Sequence, residues 1–230
     1  MAVVDQVVSE ELNLYKLQTL LKQLLMRYTG AKARLCRREG VNLFGSPKYQ
    51  KILSKSPNIP GMHGGKRQGK MTEYAKQLRE KQKAKRMFGL SEKQFRNYFQ
   101  KASNSKAVTG EKLLELLESR LDNAVYRSGL AMTRMQARQF VSHGLFMLNG
   151  RRVDVPSMVV KTGDVITVRD SKKNSPVFKN NAEEQGENFD APSWMTIDGK
   201  KLSIEIVAVP EQIHFEALIN TQPIVEFYSR

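Results

Sequence analysis

What most constrains this chain is where its charge sits. Between Arg27 and Lys101 there are 20 Lys and Arg against 4 Asp and Glu, a balance of +16. Residues 1 to 26 carry 2 against 3, and residues 102 to 230 carry 16 against 16. One third of the chain therefore holds essentially the whole net charge of +15. A segment charged in this way repels itself unless a polyanion supplies the compensating charge, so it is expected to lie against phosphate. The bland alternative is a basic face covered only by water.

The remaining bounds are broad. With 230 residues, 40% of them hydrophobic, the chain can build one large or two small cores. It has no apolar run of about eighteen residues and no signal-peptide pattern, so no membrane partner is expected. Its one cysteine, Cys36, excludes an internal disulfide and suits a reducing cytoplasm. Ala33 stands where a Cys-x-x-Cys partner would be, so no zinc site is expected, nor any other metal or cofactor. Catalytic constellations are missing too. His63, His143 and His214 are scattered, and Gly61-Met62-His63-Gly64-Gly65-Lys66 has the wrong spacing for a P-loop, with Arg67 in place of the Ser or Thr that would hold magnesium.

Periodicity divides the chain. Residues 1 to 25 read as an amphipathic docking helix with Leu14, Leu17, Leu21, Leu24 and Leu25 on one stripe. From Met26 to Met71 Gly, Pro, Ser and Lys predominate, which predicts little core and ordering by what is bound. Thr72 starts a helix running to about Phe88, and Ser91 with Gln94 forms a capping box for a second that ends near Ala102. The second buries Phe95, Tyr98, Phe99 and Ala102. Leu113, Leu114, Leu117, Leu121, Ala124 and Val125 predict a single third helix. Thr133 and Gln136 suggest a capping box for a fourth, with Leu130, Met132, Met135, Phe140 and Val141 as core and Arg134 and Arg138 on the solvent face. Asn149-Gly150 marks a tight hairpin turn, and Val165 to Val168 a strand. Asn180 to Asp190 reads as a linker, and strands are predicted at Trp194 to Ile197, Lys201 to Val207 and Ile224 to Tyr228.

The sharpest local signal is Ser119 to Arg152, where Arg120, Arg127, Arg134, Arg138, Arg151 and Arg152 face a single acid, Asp122. A guanidinium grips two phosphate oxygens at once, whereas lysine acts as a point charge. At Arg120-Leu121-Asp122-Asn123-Ala124-Val125-Tyr126-Arg127, Arg138-Gln139-Phe140-Val141-Ser142-His143-Gly144 and Asn149-Gly150-Arg151-Arg152-Val153 the chain resembles the bacterial form of the small-subunit ribosomal protein S4 family. Further matching segments are Arg27-Tyr28-Thr29-Gly30, Cys36-Arg37-Arg38-Glu39-Gly40, Leu78 to Lys83, Glu92 to Asn97 and the ending Glu226 to Arg230. The family pattern starts at Met26, so residues 1 to 25 are an addition to it.

The resemblance implies an α+β protein with a mostly helical, basic N-terminal domain and an inserted S4-type RNA-binding module of helices plus a small antiparallel sheet. The expected division is an extension over 1–25, the helical domain over 26–118 and 171–230, and the module over 119–170. It implies a non-enzymatic constituent of the small ribosomal subunit that binds the 5′ domain of 16S rRNA, helps nucleate assembly and lines the channel through which mRNA enters. Ribosomal protein S5 and other small-subunit proteins are the implied protein partners, without homo-oligomerisation. Repression of its own message is compatible with the resemblance. The implied rRNA contacts are Arg27, Lys32, Arg34, Arg37, Arg38, Arg79, Lys83, Lys85, Arg86 and Arg96 in the basic segment, and Arg120, Arg134, Arg138, Gln139, His143, Asn149, Arg151 and Arg152 in the module. Lys66, Arg67 and Lys70 would face mRNA. The alternative is an RNA-modifying enzyme, or another RNA-binding factor, carrying the same module. Modifying enzymes need a separate catalytic domain, for which this chain has no room.

Overall fold

A computed structural model describes residues 28, 30–66, 69–176, 178, 192–199, 201–211 and 218–229. The extension helix, Arg27, Arg67, His214 and the linker from Asn180 to Asp190 lie outside the described residues.

Two short helices, α1 (Lys32–Glu39) and α2 (Pro47–Lys55), occupy the stretch expected to build little core. Cys36 and Leu43 are buried there, at 1% and 2% exposure. At eight and nine residues each helix is too short to show a long apolar period; α1 buries Cys36, and α2 has no fully buried residue. Gly40 ends α1 with φ +71, the left-handed conformation that glycine adopts without penalty.

Helix α3 (Glu73–Met87) starts as predicted, the Thr72 hydroxyl accepting from the Ala75 amide at 3.3 Å. Helix α4 (Glu92–Ser103) carries the predicted capping box from Ser91 to Gln94 and buries Phe95, Phe99 and Ala102. Tyr98 is only half-buried.

The single helix expected from Leu113 to Val125 is two, α5 (Thr109–Glu118) and α6 (Leu121–Arg127). Arg120 between them is extended, with ψ 141. Backbone groups freed by the break are used by the 154–160 segment. The Leu121 amide donates to Met158 O at 2.8 Å, and the Val160 amide donates to Ser119 O at 2.8 Å. The apolar stripe runs on through the break, but Leu113, Leu114 and Leu117 bury in one core and Leu121, Ala124 and Val125 in the other, a division that the sequence pattern does not carry.

Helix α7 (Arg134–Ser142) is capped by Thr133, but the box is shifted: Gln136 Oε1 accepts from the Met132 amide at 2.7 Å, one residue before the cap. Met132 is 40% exposed, so it leaves the predicted core, whereas Leu130 and Val141 stay in it.

Five strands form one antiparallel sheet in the order β2-β1-β3-β5-β4: β1 (Phe146–Leu148), β2 (Arg151–Val153), β3 (Val165–Val168), β4 (Met195–Asp198) and β5 (Ser203–Ile206). The hairpin between β1 and β2 turns at Asn149 and Gly150, both with positive φ (49 and 79), as an Asn-Gly turn of this type requires. Strand β5 pairs with β3, Ile204 opposite Ile166, so the sheet continues past residue 170, where the module was expected to end. Between β3 and β4 lies the short helix α8 (Asp170–Lys173).

The last predicted strand is instead a helix, α9 (Gln222–Tyr228). Its β-branched and aromatic residues suggested a strand, but Ile224 and Tyr228 are four apart and share a helical face. That face closes the first core with Phe95, Phe99 and Leu113. Tyr228 stacks on Phe99 with ring centroids 4.6 Å apart. A second core joins α6, α7 and the sheet around Val125, Phe146, Ile166, Trp194 and Ile204.

Candidate nucleic-acid interface

The basic side chains divide into those held by carboxylates inside the fold and those left on its surface. Two acids neutralise most of the arginine module. Asp122 takes Arg120 in a two-point grip, Nε to Oδ1 at 3.0 Å and Nη2 to Oδ2 at 2.7 Å. Arg120 also donates to the Tyr98 hydroxyl at 2.9 Å. Expected at the RNA face, Arg120 is only 1% exposed. Burial alone would lower its pKa, but the Asp122 hydrogen bonds outweigh that and raise it, so the guanidinium stays charged in the interior.

The second acid is Glu118, whose side chain is 1% exposed. It accepts two bonds from Arg127, at 3.0 and 2.9 Å, and one from Asn123 at 2.5 Å, and it lies 4.0 Å from Arg134 Nη2. Arg134 donates from Nε to Asn123 Oδ1 at 2.8 Å and stacks over Phe88 and Tyr126, at 5.0 and 4.5 Å from the ring centroids. It is therefore a tether between α7 and the end of α3, not the solvent-facing group expected. Arg138 is 26% exposed, with Nη1 3.6 Å from Asp122 Oδ2. The solvent-face assignment of this pair is corrected for Arg134 and weakened for Arg138. Helical spacing set the pair on one face, but that face turns toward α6.

Glu39, with a side chain 1% exposed, draws Arg79 and Arg86 together, Arg79 at 3.2 Å. Lys83 binds Glu80 at 2.5 Å and Leu218 O at 3.3 Å, and Lys85 binds Glu92 at 2.9 Å. Lys81, 7% exposed, reaches the same Glu92 at 2.8 Å and lies over the Phe227 ring at 4.3 Å. Burial would raise the Glu92 pKa, but hydrogen bonds from Lys81, Lys85 and Tyr228 outweigh it and hold the carboxyl at about 2. Arg37 donates to Asn58 O at 2.9 Å and pins the following loop to α1. Lys32 is half-buried, its ammonium 6.0 Å from the Phe44 ring centroid.

Of the residues expected at an RNA face, Arg34, Arg38, Arg96, Gln139, His143, Asn149, Arg151 and Arg152 are exposed, as are Lys66 and Lys70 on the loop before α3. His143 at the end of α7 and the β1–β2 hairpin come together in space. A Cβ on Gly144 would lie 2.5 Å from Arg152 Nε, and Gly144 itself has φ +63. A side chain there would only displace the exposed Arg152 guanidinium; it is the positive φ that favours glycine. Asn149, though exposed, has its side chain committed to the turn: its amide donates to Asp164 Oδ1 and its oxygen accepts from the Val165 amide, both at 2.8 Å.

Sequence reasoning missed one basic row. Lys48, Lys51 and Lys55 are exposed at spacings of three and four along α2. The spacing was visible in the sequence but lay in a stretch read as irregular. On α4, Lys93 and Lys101 are exposed as well as Arg96, while Phe95 and Phe99 are buried.

Among the described residues no group of three or more His, Cys, Asp or Glu could hold a metal ion, and no helix is long and apolar enough to cross a membrane. The arrangement is a rigid basic scaffold in which acids fix the inner cations and the outer ones form surfaces complementary to an extended polyanion.

The fold and this surface define a two-part basic α+β protein. Residues 27–118 match the family model of the ribosomal protein S4/S9 N-terminal domain and residues 119–166 that of the S4 domain. A protein of Solidesulfovibrio magneticus named small ribosomal subunit protein uS4 is 49% identical over 210 residues, 90% of this chain and 100% of its own length. Proteins of the same name from Borrelia hermsii and Borreliella burgdorferi are 46% and 44% identical over 200 residues, 87% of this chain and 96% of theirs. The chain belongs to the uS4 family of small ribosomal subunit proteins.

Proposed function

We propose that the chain is a structural, non-enzymatic component of the small ribosomal subunit that binds the 5′ domain of 16S rRNA and helps nucleate assembly. The observation that carries the reading is the segregation of charge. Inner arginines are neutralised by Glu39, Glu118 and Asp122, and Arg34, Arg38, Lys48, Lys51, Lys55, Arg96, Arg151 and Arg152 remain exposed on surfaces that no described acid covers as a set. Such a surface gains from counterion release when it meets phosphate. Lys66 and Lys70, exposed on their loop, are the residues we assign to mRNA where it enters the subunit, with ribosomal protein S5 as a neighbour. That its relatives are named small ribosomal subunit proteins supports the assignment to this subunit. The test combines two measurements. The chain should be found in small subunits purified from the source cells, and it should bind a transcript of the 16S 5′ domain more tightly than a transcript of equal length from another domain. Equal affinity for the two transcripts would reject the 5′-domain assignment.

A further inference from the structure

A cavity of about 120 Å³ opens where α1 and α2 meet α6 and α7, between the two cores. We propose that it receives one unpaired nucleobase of the bound RNA, a proposal that rests on the RNA-binding reading above.

Three rings wall it, Phe44, Tyr49 and Tyr126, all half-buried so that part of each remains uncovered. Phe44 and Tyr49 meet edge to face, centroids 5.6 Å apart at 60°, which makes a corner where a flat base stacks on one ring and abuts the other. Lys32 and Arg134 line the same space, and among the described lining residues there is no carboxylate. Arg134 is already held by Glu118 and Asn123, so the Lys32 ammonium beside Phe44 is the charge that favours a planar group rich in acceptors on an anionic backbone. Its volume excludes the larger ligands that fill typical small-molecule pockets.

Ser46 supplies a second, independent sign. It occupies the N-cap of α2, where serine ordinarily bonds the helix amides, yet its side chain makes no capping bond, and it lines the cavity. Its hydroxyl can both give and accept a hydrogen bond at a base edge. Exposed Lys48 and Lys51, on the same helix α2 as Tyr49, supply cations on the element that carries the stacking ring, where the phosphates of neighbouring nucleotides can be met.

The same aromatic chemistry could be met by a free nucleotide, so the experiment has two arms on the full chain. In the first, the 16S 5′-domain transcript is titrated at several salt concentrations against wild type, Tyr49→Leu and Tyr49→Phe. Leucine keeps the apolar bulk but cannot stack. We expect Tyr49→Leu to bind about tenfold more weakly with an unchanged salt slope, because stacking releases no counterions, and Tyr49→Phe to restore affinity. In the second, RNA carrying 4-thiouridine is photo-crosslinked to wild type and the adduct mapped, with AMP as competitor. Adducts at Phe44, Tyr49 or Tyr126 that survive excess AMP support the proposal, and this arm stands even if Tyr49→Leu does not fold. Wild-type affinity in Tyr49→Leu, adducts elsewhere, or AMP filling the pocket without RNA would overturn it. If wild type shows no salt-dependent RNA binding at all, the RNA-binding reading itself fails.

Discussion

At the scale of single residues, arginines of the same module have opposite fates. Arg120 is sealed against Asp122 inside the fold, whereas Arg151 and Arg152 stand in solvent on β2. Removing one partner of a buried pair strands the other, so Asp122→Ala should cost about 3 to 5 kcal/mol, read from urea denaturation. Arg151→Gln with Arg152→Gln should leave that stability unchanged and lower the slope of log affinity against log salt by roughly one to two units, about one for each phosphate no longer neutralised. A slope equal to that of Lys172→Gln with Lys173→Gln would reject their RNA-facing role. Arg134→Gln, by contrast, should destabilise the fold, because the guanidinium fills the gap between Phe88 and Tyr126. Glu92 adds a pH dependence. Its folded pKa, about 2, lies below the ordinary 4.5, so its ion pairs stabilise the fold fully above 4.5 and progressively less as pH falls toward 2. Comparing the urea midpoints of wild type and Glu92→Gln at pH 7 and pH 3 should show the wild-type advantage shrinking at the lower pH. The effect will be small, since the side chain is 47% exposed.

At the scale of elements, local chemistry and long-range packing diverged in particular places. The caps at Thr72, Ser91 and Thr133 and the Asn149-Gly150 turn are made by neighbours in sequence, and they were legible there. Helix α9 was not, because what selects helix over strand for those residues is the surface offered by α3, α4 and α5. Ile224, fully buried, is its anchor. Ile224→Ala should lower stability by about 2 to 5 kcal/mol in thermal or urea unfolding, and a change under 1 kcal/mol would show that α9 is not part of the cooperative core. The α5–α6 break has the same character: its missing helical hydrogen bonds are replaced by Met158 and Val160, which come from beyond α7 and the β1–β2 hairpin.

For the whole molecule, the charge imbalance governs behaviour more than any single interaction. Full-length protein should bind small-subunit RNA with a steep negative salt slope, and a flat plot would remove the electrostatic reading. Deleting residues 1 to 25, which carry 2 basic and 3 acidic side chains, should leave that binding little changed, with a loss beyond about tenfold counting against it. Binding should also survive a metal chelator. Cys36 is buried and its thiol is pushed up by that burial, so it is poorly suited to act as a thiolate ligand.

By itself the sequence determined the basic third of the chain, the strong helix starts, the hairpin turn and the family, because charge, caps and turns depend on residues within a few positions of each other. Which cations remain available was decided only in three dimensions. Arg79 and Arg86 meet Glu39 across 40 and 47 positions of sequence, and Arg134 meets Phe88 from another helix. Whether an arginine is a tether or a phosphate ligand depends on whether folding brings a carboxylate or ring to it, and spacing along one helix does not carry that information.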